Sequence, residues 1–343
     1  MSVALESKGI REQAEREFRQ WMNNEELFMH FQPIVHTTSK TVQGYEALTR
    51  FPKSSNISNP IELFQLADEL NQLFQLEKHT RELAIESIAD YLNPHQKLWV
   101  NVSPNVIHDQ AYTPGFTHSV IKDTALSPQQ IVFEITEQSA ITDLTSFREL
   151  LNHYREQGFT VAIDDVGAGY SSLQTISEIK PDYLKVDRSL VTEIQRSSEK
   201  QYMLEALQQI TLKMGSSLIV EGVETEEEFS QLLSMGVEMM QGYYFAKPSF
   251  PPPEVSSSLM MPSFSYSNDH RTPLIISKET TLSHLYAWLG EYTGPFDHQL
   301  AVIKTDKMRA ALPLQEVVRF AGLSVHLNKQ EPIWKRLLEW WRS

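Results

Sequence analysis

The sequence predicts an α/β protein, a closed (β/α)8 barrel over residues 25 to 250 followed by a small α+β module. Three observations predict it. Short β-branched and aromatic runs alternate with helical patterns. The runs number eight, which favours closure over an open sheet, although a nine-stranded open sheet fits the same alternation. Acids and amides stand inside or at the ends of these runs, where a barrel would gather them at one mouth.

The elements follow in order. Ala4 to Trp21, rich in Glu, Arg and Gln, reads as a helix within a leading segment of residues 1–24. The strand candidates are Leu27–Val35, Thr41–Leu48, Leu98–Ser103, Ile131–Thr136, Thr160–Val166, Tyr183–Asp187, Ser217–Val223 and Met239–Phe245. Ile61–Leu92 has helical spacing and room for two helices. Leu144–Gln157 and Gln201–Met214 each stop at a glycine, Gly158 and Gly215, as helices do at a C-cap. Thr225–Met235 opens with Thr-Glu-Glu-Glu, a cap with acids in the first turn, and ends at Gly236. Pro248, Pro251, Pro252 and Pro253, with three serines after them, mark a linker at residues 251–262. Residues 263–343 should form the small module, with strands near Leu274–Ser277 and Gln299–Lys304. Its helices should lie at Thr281–Tyr292, Pro313–Ala321 and Glu331–Trp341, the last carrying Trp334, Trp340 and Trp341. That last helix either docks on its own module or offers a partner-binding face.

Composition narrows the function. The 343 residues carry a formal net charge of −14, which argues against a duplex nucleic acid partner. The absence of cysteine excludes disulfides, thiolate-bound zinc, iron–sulfur clusters and thiol nucleophiles. No apolar leader and no stretch of 18 apolar residues is visible, so the expectation is a cytoplasmic protein without membrane insertion.

The chemistry lies in the polar residues of the apolar runs: Glu46, Asn101, Glu134, Asp164, Asp165, Lys185 and Glu221. One unpaired buried carboxylate costs several kcal/mol or shifts its pKa, so several at one mouth need positive charge. An all-oxygen set of Glu46, Asn101, Glu134, Asp164 and Asp165 suits Mg²⁺ or Mn²⁺ better than zinc. Asp164 and Asp165 are adjacent, so both reach one site only where the strand is ending. Such a pair can bridge two ions about 3.5–4 Å apart, an arrangement used in phosphoester displacement. Lys185 is either the counter-ion of Glu134 or Asp164, or a group that holds or deprotonates water. Asn101 reads equally as a ligand or a loop cap. The Gly-rich stretch 164–173 is an ordinary strand-to-helix turn or a segment that sets the two aspartates, with Ser171 or Ser172 as a cap.

Glu46-Ala-Leu followed by Arg50 resembles the signature of EAL-domain cyclic di-GMP phosphodiesterases. The similarity runs from about Phe28 to Pro248. It includes Gln32, Asn101, Glu134 and Glu137, Asp164-Asp165, Lys185, Glu221 and Glu224, and Gln241, in the family's order. The resemblance implies the EAL version of the TIM-type barrel and hydrolysis of cyclic di-GMP to linear 5′-pGpG with two Mg²⁺ or Mn²⁺ ions. Glu46, Asn101, Glu134 and Asp164 would hold one ion, and Asp165 the other, with Asp187 nearby. Glu221 would be a metal-site residue and general base, and Lys185 would contact the attacking water. Gln32, Arg50 and Gln241 would bind the dinucleotide, and Glu137 would anchor the Gly-rich loop. It also implies a homodimer. Ca²⁺ should inhibit through its longer, looser coordination. Two departures are visible: Val166 follows the aspartates where Phe is commoner, and Thr49 stands where an apolar residue is usual. A non-catalytic cyclic di-GMP receptor on the same barrel is the alternative. An enolase-type barrel also combines acids, lysine and Mg²⁺, but lacks the Asp-Asp-Gly-rich loop.

Overall fold

Only four residues separate the first two strands, too few for a crossover helix, so they pair as a hairpin. In the computed structural model, β1 (Phe28–His36) and β2 (Thr41–Arg50) run antiparallel with Gln32 opposite Glu46. This is where strict strand–helix alternation fails. β1 is antiparallel to both its neighbours, while the other strands form a parallel run. That run is β2 with β3 (Lys97–Asn101), β4 (Ile131–Thr136), β5 (Thr160–Val166), β6 (Tyr183–Val186), β7 (Ser217–Val220) and β8 (Met239–Gln241). β8 closes the eight-stranded barrel against β1, with Ile34 opposite Gln241. The structure describes residues 2–54, 56–103, 106, 115–136, 144–168, 173–256, 259, 274–277, 285, 300–305, 308–323 and 336–337.

The chain divides into two compact units, Met1–Glu224 with Glu238–Val255, and Thr225–Val237 with Ser256–Ser343. In the first unit the helices are α1 (Ser2–Asn23), α2 (Pro60–Glu69), α3 (Leu73–Ile88), α4 (Phe116–Lys122), α5 (Leu144–Glu156), α6 (Leu173–Ile179), the single turn α7 (Arg188–Val191) and α8 (Ser198–Met214). The long pattern of 61–92 does split into two helices. Asn59 caps α2 by accepting from the Glu62 amide at 3.0 Å, and Pro60 stands at its first position. α8 ends on Gly215 in the left-handed conformation at φ 74°, as the glycine stop predicts.

Ile34, Trp99, Val132, Ala162, Ile219 and Met239 form one buried cluster, drawn from six of the eight strands. Side chains two apart on a strand share a face. Two residues further along the parallel strands stand Asn101, Glu134, Asp164, Glu221 and Gln241. On antiparallel β1 the same step runs backwards, to Gln32. The polar site is therefore the next layer above an apolar one. Gly44 lies beneath Glu46 in this pattern, and a Cβ there would overlap the Trp99 ring and the Lys97 carbonyl. Outside the strands Phe133 packs on Tyr154 and Phe159 at 4.2 and 5.0 Å. Phe18 and Trp21 of α1 are buried with Leu27, Ile57 and Leu63.

The second unit contains α9 (Glu226–Ser234), capped by a reciprocal Thr225–Glu228 box. It also contains a sheet of β9 (Leu274–Ser277), β10 (Leu300–Thr305) and β11 (Met308–Pro313) in the order β11-β10-β9, and α10 (Leu314–Leu323). The sequence reading found β9, β10 and α10 but missed β11, whose Ala310, Ala311 and Pro313 are poor strand signals. The expected helices at Thr281–Tyr292 and Glu331–Trp341 fall largely outside the described residues, as do the three tryptophans. Among the described residues no helix is long and apolar enough to cross a membrane.

Candidate metal and phosphate site

Lys185 is fully buried, and four carboxylates surround its ammonium. Glu134 lies at 2.6 Å, Glu46 and Asp164 at 3.5 Å each, and Glu221 is in direct contact. Burial alone would depress the lysine pKa, but Asp164, Glu134, Glu221 and Glu46 together raise it well above its ordinary value. The four carboxylates thus favour the charged form of the lysine. Burial pushes Glu134 well above the carboxylate range, and Glu46, Asp164 and Glu221 push it further while Lys185 opposes them. Asp164 and Glu221 rise for the same reasons, burial first. One ammonium does not neutralise four acids.

Each acid is fixed from its own strand. Glu46, in mid-β2, accepts from Gln241 Nε2 at 2.7 Å and from Asn101 Nδ2 at 3.3 Å. The Gln241 amide is shared with Gln32 Oε1 at 3.1 Å, and Gln32 donates to the Ala246 carbonyl at 3.2 Å. Gln32, Gln241 and Glu46 are thus one buried chain across β8, β1 and β2. Asp164 is the last residue of β5 paired to β4, opposite Thr136. At Asp165 the backbone turns to φ 60°, and its amide donates to Asp164 Oδ1 at 2.9 Å. This left-handed turn breaks the two-residue alternation and lets both aspartates line one cleft. Asp165 is raised to about 6, by burial first, then by Asp164 and Asp187. Asp187, read from the sequence as the end of a strand, instead caps α7 through the Ser189 amide at 2.8 Å. Glu221 likewise lies just past the end of β7 rather than inside a strand. Its amide donates to the Val186 carbonyl at 3.0 Å.

A cleft of about 680 Å³ opens over this layer. Arg50, Asn101, Asp164 and Asp165 line it on the polar side, and Ile61 and Phe64 of α2 on the apolar side. Burial depresses the Arg50 pKa while Tyr243 and Glu46 raise it, and a guanidinium stays charged in any protein setting. Carboxylate oxygens of Glu46, Glu134 and Asp164 lie within 4.8 Å of one another. Three converging hard donors fit a divalent oxygen-loving cation, and Asn101 stands beside them with its amide nitrogen on Glu46. Glu137 and Gly169 to Ser172, with the two candidate serine caps, lie outside the described residues.

Sequence reasoning missed two supports. Arg188, the partner of the already named Glu224, forms a two-pronged ion pair with it. Glu77 and Arg81 form a buried pair beside the cleft. The signal for the second was present: both stand on the apolar stripe of α3, with Leu73, Thr80, Ala84 and Ile88.

Fold and site together define a β/α-barrel protein with an acidic, lysine-braced mouth whose Glu46, Glu134 and Asp164 could hold a metal ion. The family model of the EAL domain matches residues 15–248. This chain belongs to the EAL domain family. It is 30% identical over 218 residues to the blue light- and temperature-regulated antirepressor BluF of Escherichia coli, covering 63% of this chain and 53% of that one. It is 28% identical over 229 residues to the probable cyclic di-GMP phosphodiesterase PdeB of the same organism, covering 66% and 43%. The chain thus spans about half or less of these relatives' length. The manganese/cyclic di-GMP complex of Klebsiella pneumoniae BlrP1 superposes with a TM-score of 0.60 at 30% identity, over 65% of this chain and 56% of that one.

Proposed function

We propose that the barrel hydrolyses cyclic di-GMP to linear 5′-pGpG in a divalent-metal-dependent reaction, in the cytoplasm, within a domain of residues 25–250. The observation that carries the proposal is the single polar layer in which Glu46, Glu134, Asp164 and Glu221 close around Lys185 beside an arginine-lined cleft. Glu46, Asn101, Glu134 and Asp164 would hold one Mg²⁺ or Mn²⁺, and Asp165 a second. Bound there, the ions would neutralise the phosphate and acidify a water. Glu221, just past the end of β7 and with its side chain 19% exposed, would be the base that takes a proton from water. Lys185 orients the same water and keeps the acids from repelling one another apart. Arg50 forks to a phosphate oxygen. Gln241 and Gln32 bind the dinucleotide and also hold Glu46 in its rotamer. Glu137 would anchor the Gly-rich loop, and the assembly would be a homodimer.

One observation favours a receptor without turnover as the second reading. Lys185 already pairs with all four acids, so the mouth can stand without a metal. Incubation of the full chain with cyclic di-GMP and Mn²⁺, followed by chromatography, separates the two. Linear pGpG is expected, with none from Glu46→Ala and little when Ca²⁺ replaces Mn²⁺. Tight binding without product would overturn the enzyme reading and leave the receptor.

A further inference from the structure

The segment that follows Asn101 leaves β3 and would be free to sag into the cleft unless its amides were held. They are held from two sides. The Val102 amide donates to the Glu134 carbonyl at 2.9 Å, tying β3 to β4. The Ser103 amide donates to Glu77 Oε1 at 2.6 Å. Glu77 comes from α3, where it is 2% exposed on the helix's core-facing stripe. A carboxylate at such a position costs several kcal/mol unless it is paired. Its partner is one turn on: Arg81 Nη2 meets Glu77 Oε2 at 3.2 Å. Arg81 in turn donates to Thr117 Oγ1 of α4 at 2.9 Å and stacks over the Phe133 ring at 5.2 Å. Phe133 immediately precedes Glu134. The pair therefore touches the chain beside two of the cation donors, Asn101 and Glu134, and contacts neither donor itself.

We propose that Glu77 is a positioning residue. It fixes the end of β3 through the Ser103 amide, so that Asn101 and Glu134 present their oxygens at one cation. The inference rests on the metal reading of the site above. An apolar pair would pack the same helix stripe more cheaply, because replacing a buried ion pair with hydrophobic residues is often neutral or stabilising. Retention of a buried carboxylate is explained by what it accepts, a backbone amide two residues past a donor. Partners behind the direct ligands characteristically set cation affinity by 10–100-fold.

The test separates the acceptor from the ion pair. Two double variants of the full chain both remove the buried charges. Glu77→Gln with Arg81→Met keeps an oxygen for the Ser103 amide, and Glu77→Met with Arg81→Met does not. Mn²⁺ affinity is read directly from the free-ion electron paramagnetic resonance signal, and folding from thermal melts. The methionine pair is expected to melt near the parent but bind Mn²⁺ roughly tenfold more weakly. The glutamine pair is expected to restore affinity to within about twofold. With substrate, the loss should fall on kcat more than on KM. Equal Mn²⁺ affinity in the parent and both variants would overturn the proposal, as would equal weakening in both. A parent chain that binds no Mn²⁺ would instead defeat the metal reading, and this inference with it.

Discussion

Replacing Lys185 with methionine tests the electrostatic reading of the site without requiring a substrate. The change keeps the unbranched stem to Cε and removes the ammonium from among Glu46, Glu134, Asp164 and Glu221. Breaking a buried ion pair from one side costs about 3–5 kcal/mol, because the remaining charge is left uncompensated. Four carboxylates share this partner, but they can take up protons, so the single-pair range is the appropriate scale. Each kcal/mol moves the melting temperature of a domain this size by about 2–4 °C, so a fall of roughly 6–20 °C is expected in EDTA at pH 8. The pH dependence follows from the directions of the shifts. Glu134, Asp164 and Glu221 have folded pKa values raised above their unfolded ones. Such groups stabilise the fold fully below the unfolded value and lose that contribution as pH rises. Without the lysine they rise further, so the deficit should be smallest near pH 4–5 and grow towards pH 8. Any ligand that binds only the folded state stabilises it by mass action, but the lysine-less mouth must shed more protons to take an ion, so added Mn²⁺ should raise the parent's melting temperature more than the variant's near neutral pH. The assay is a melt with and without Mn²⁺ across that pH range. A variant that melts within about 2 °C of the parent in EDTA at pH 8 would refute the reasoning.

Glu221→Gln removes the proposed base but keeps its shape, so pGpG formation should fall by about 10²–10⁴-fold while cyclic di-GMP binding persists; loss of both together would point to a ligand role alone. Asp165, raised to about 6, must shed a proton before it holds a cation, so Mn²⁺ affinity at that position should fall about tenfold per pH unit below about 6 and be flat above it. Isothermal titration at pH 5, 6 and 8 checks this, and an affinity independent of pH would contradict it. Gly222 sits at φ 68° with the Arg188 side chain where a Cβ would go. Gly222→Ala should therefore cost at least about 1–2 kcal/mol and lower turnover by moving Glu221, measured by urea unfolding and product assay.

What the sequence reveals of this protein divides along the range of the interactions. Period-two alternation is local, so the polar residue two places beyond each apolar one was readable in Leu-Trp-Val-Asn, Ala-Ile-Asp and Leu-Ile-Val-Glu. The helix stops at Gly158 and Gly215 were readable for the same reason, since a left-handed C-terminal residue favours glycine. Closure was not local. Nothing within Leu27–Val35 says that its strand runs against both neighbours; the four-residue turn at 37–40 does, once a crossover is seen not to fit. Nor could spacing choose between counter-ion and water-holding roles for Lys185, because its partners come from β2, β4, β5 and the end of β7. Asp165 is a third kind of case. The adjacency of two aspartates showed that the strand must end there, but not how, because a left-handed backbone is uncommon outside glycine even though aspartate takes it more readily than most.

The two readings of Lys185 are compatible, and the arrangement explains why. A mouth of four acids with no cation would protonate heavily near neutral pH and hold metal poorly, because each ion would have to displace several protons. A mouth with enough lysines to neutralise every acid would bind no metal at all. One buried ammonium against Glu46, Glu134, Asp164 and Glu221 lies between these limits. It lowers the repulsion enough for the apo barrel to fold, yet leaves a surplus of negative charge for a divalent ion. Burial is the largest cause of the raised pKa values of Glu134, Asp164 and Glu221, and the lysine opposes it. A receptor that recognised a cyclic dinucleotide through Arg50 and amides alone would not require that surplus of negative charge, whereas the proposed metal-dependent hydrolysis would.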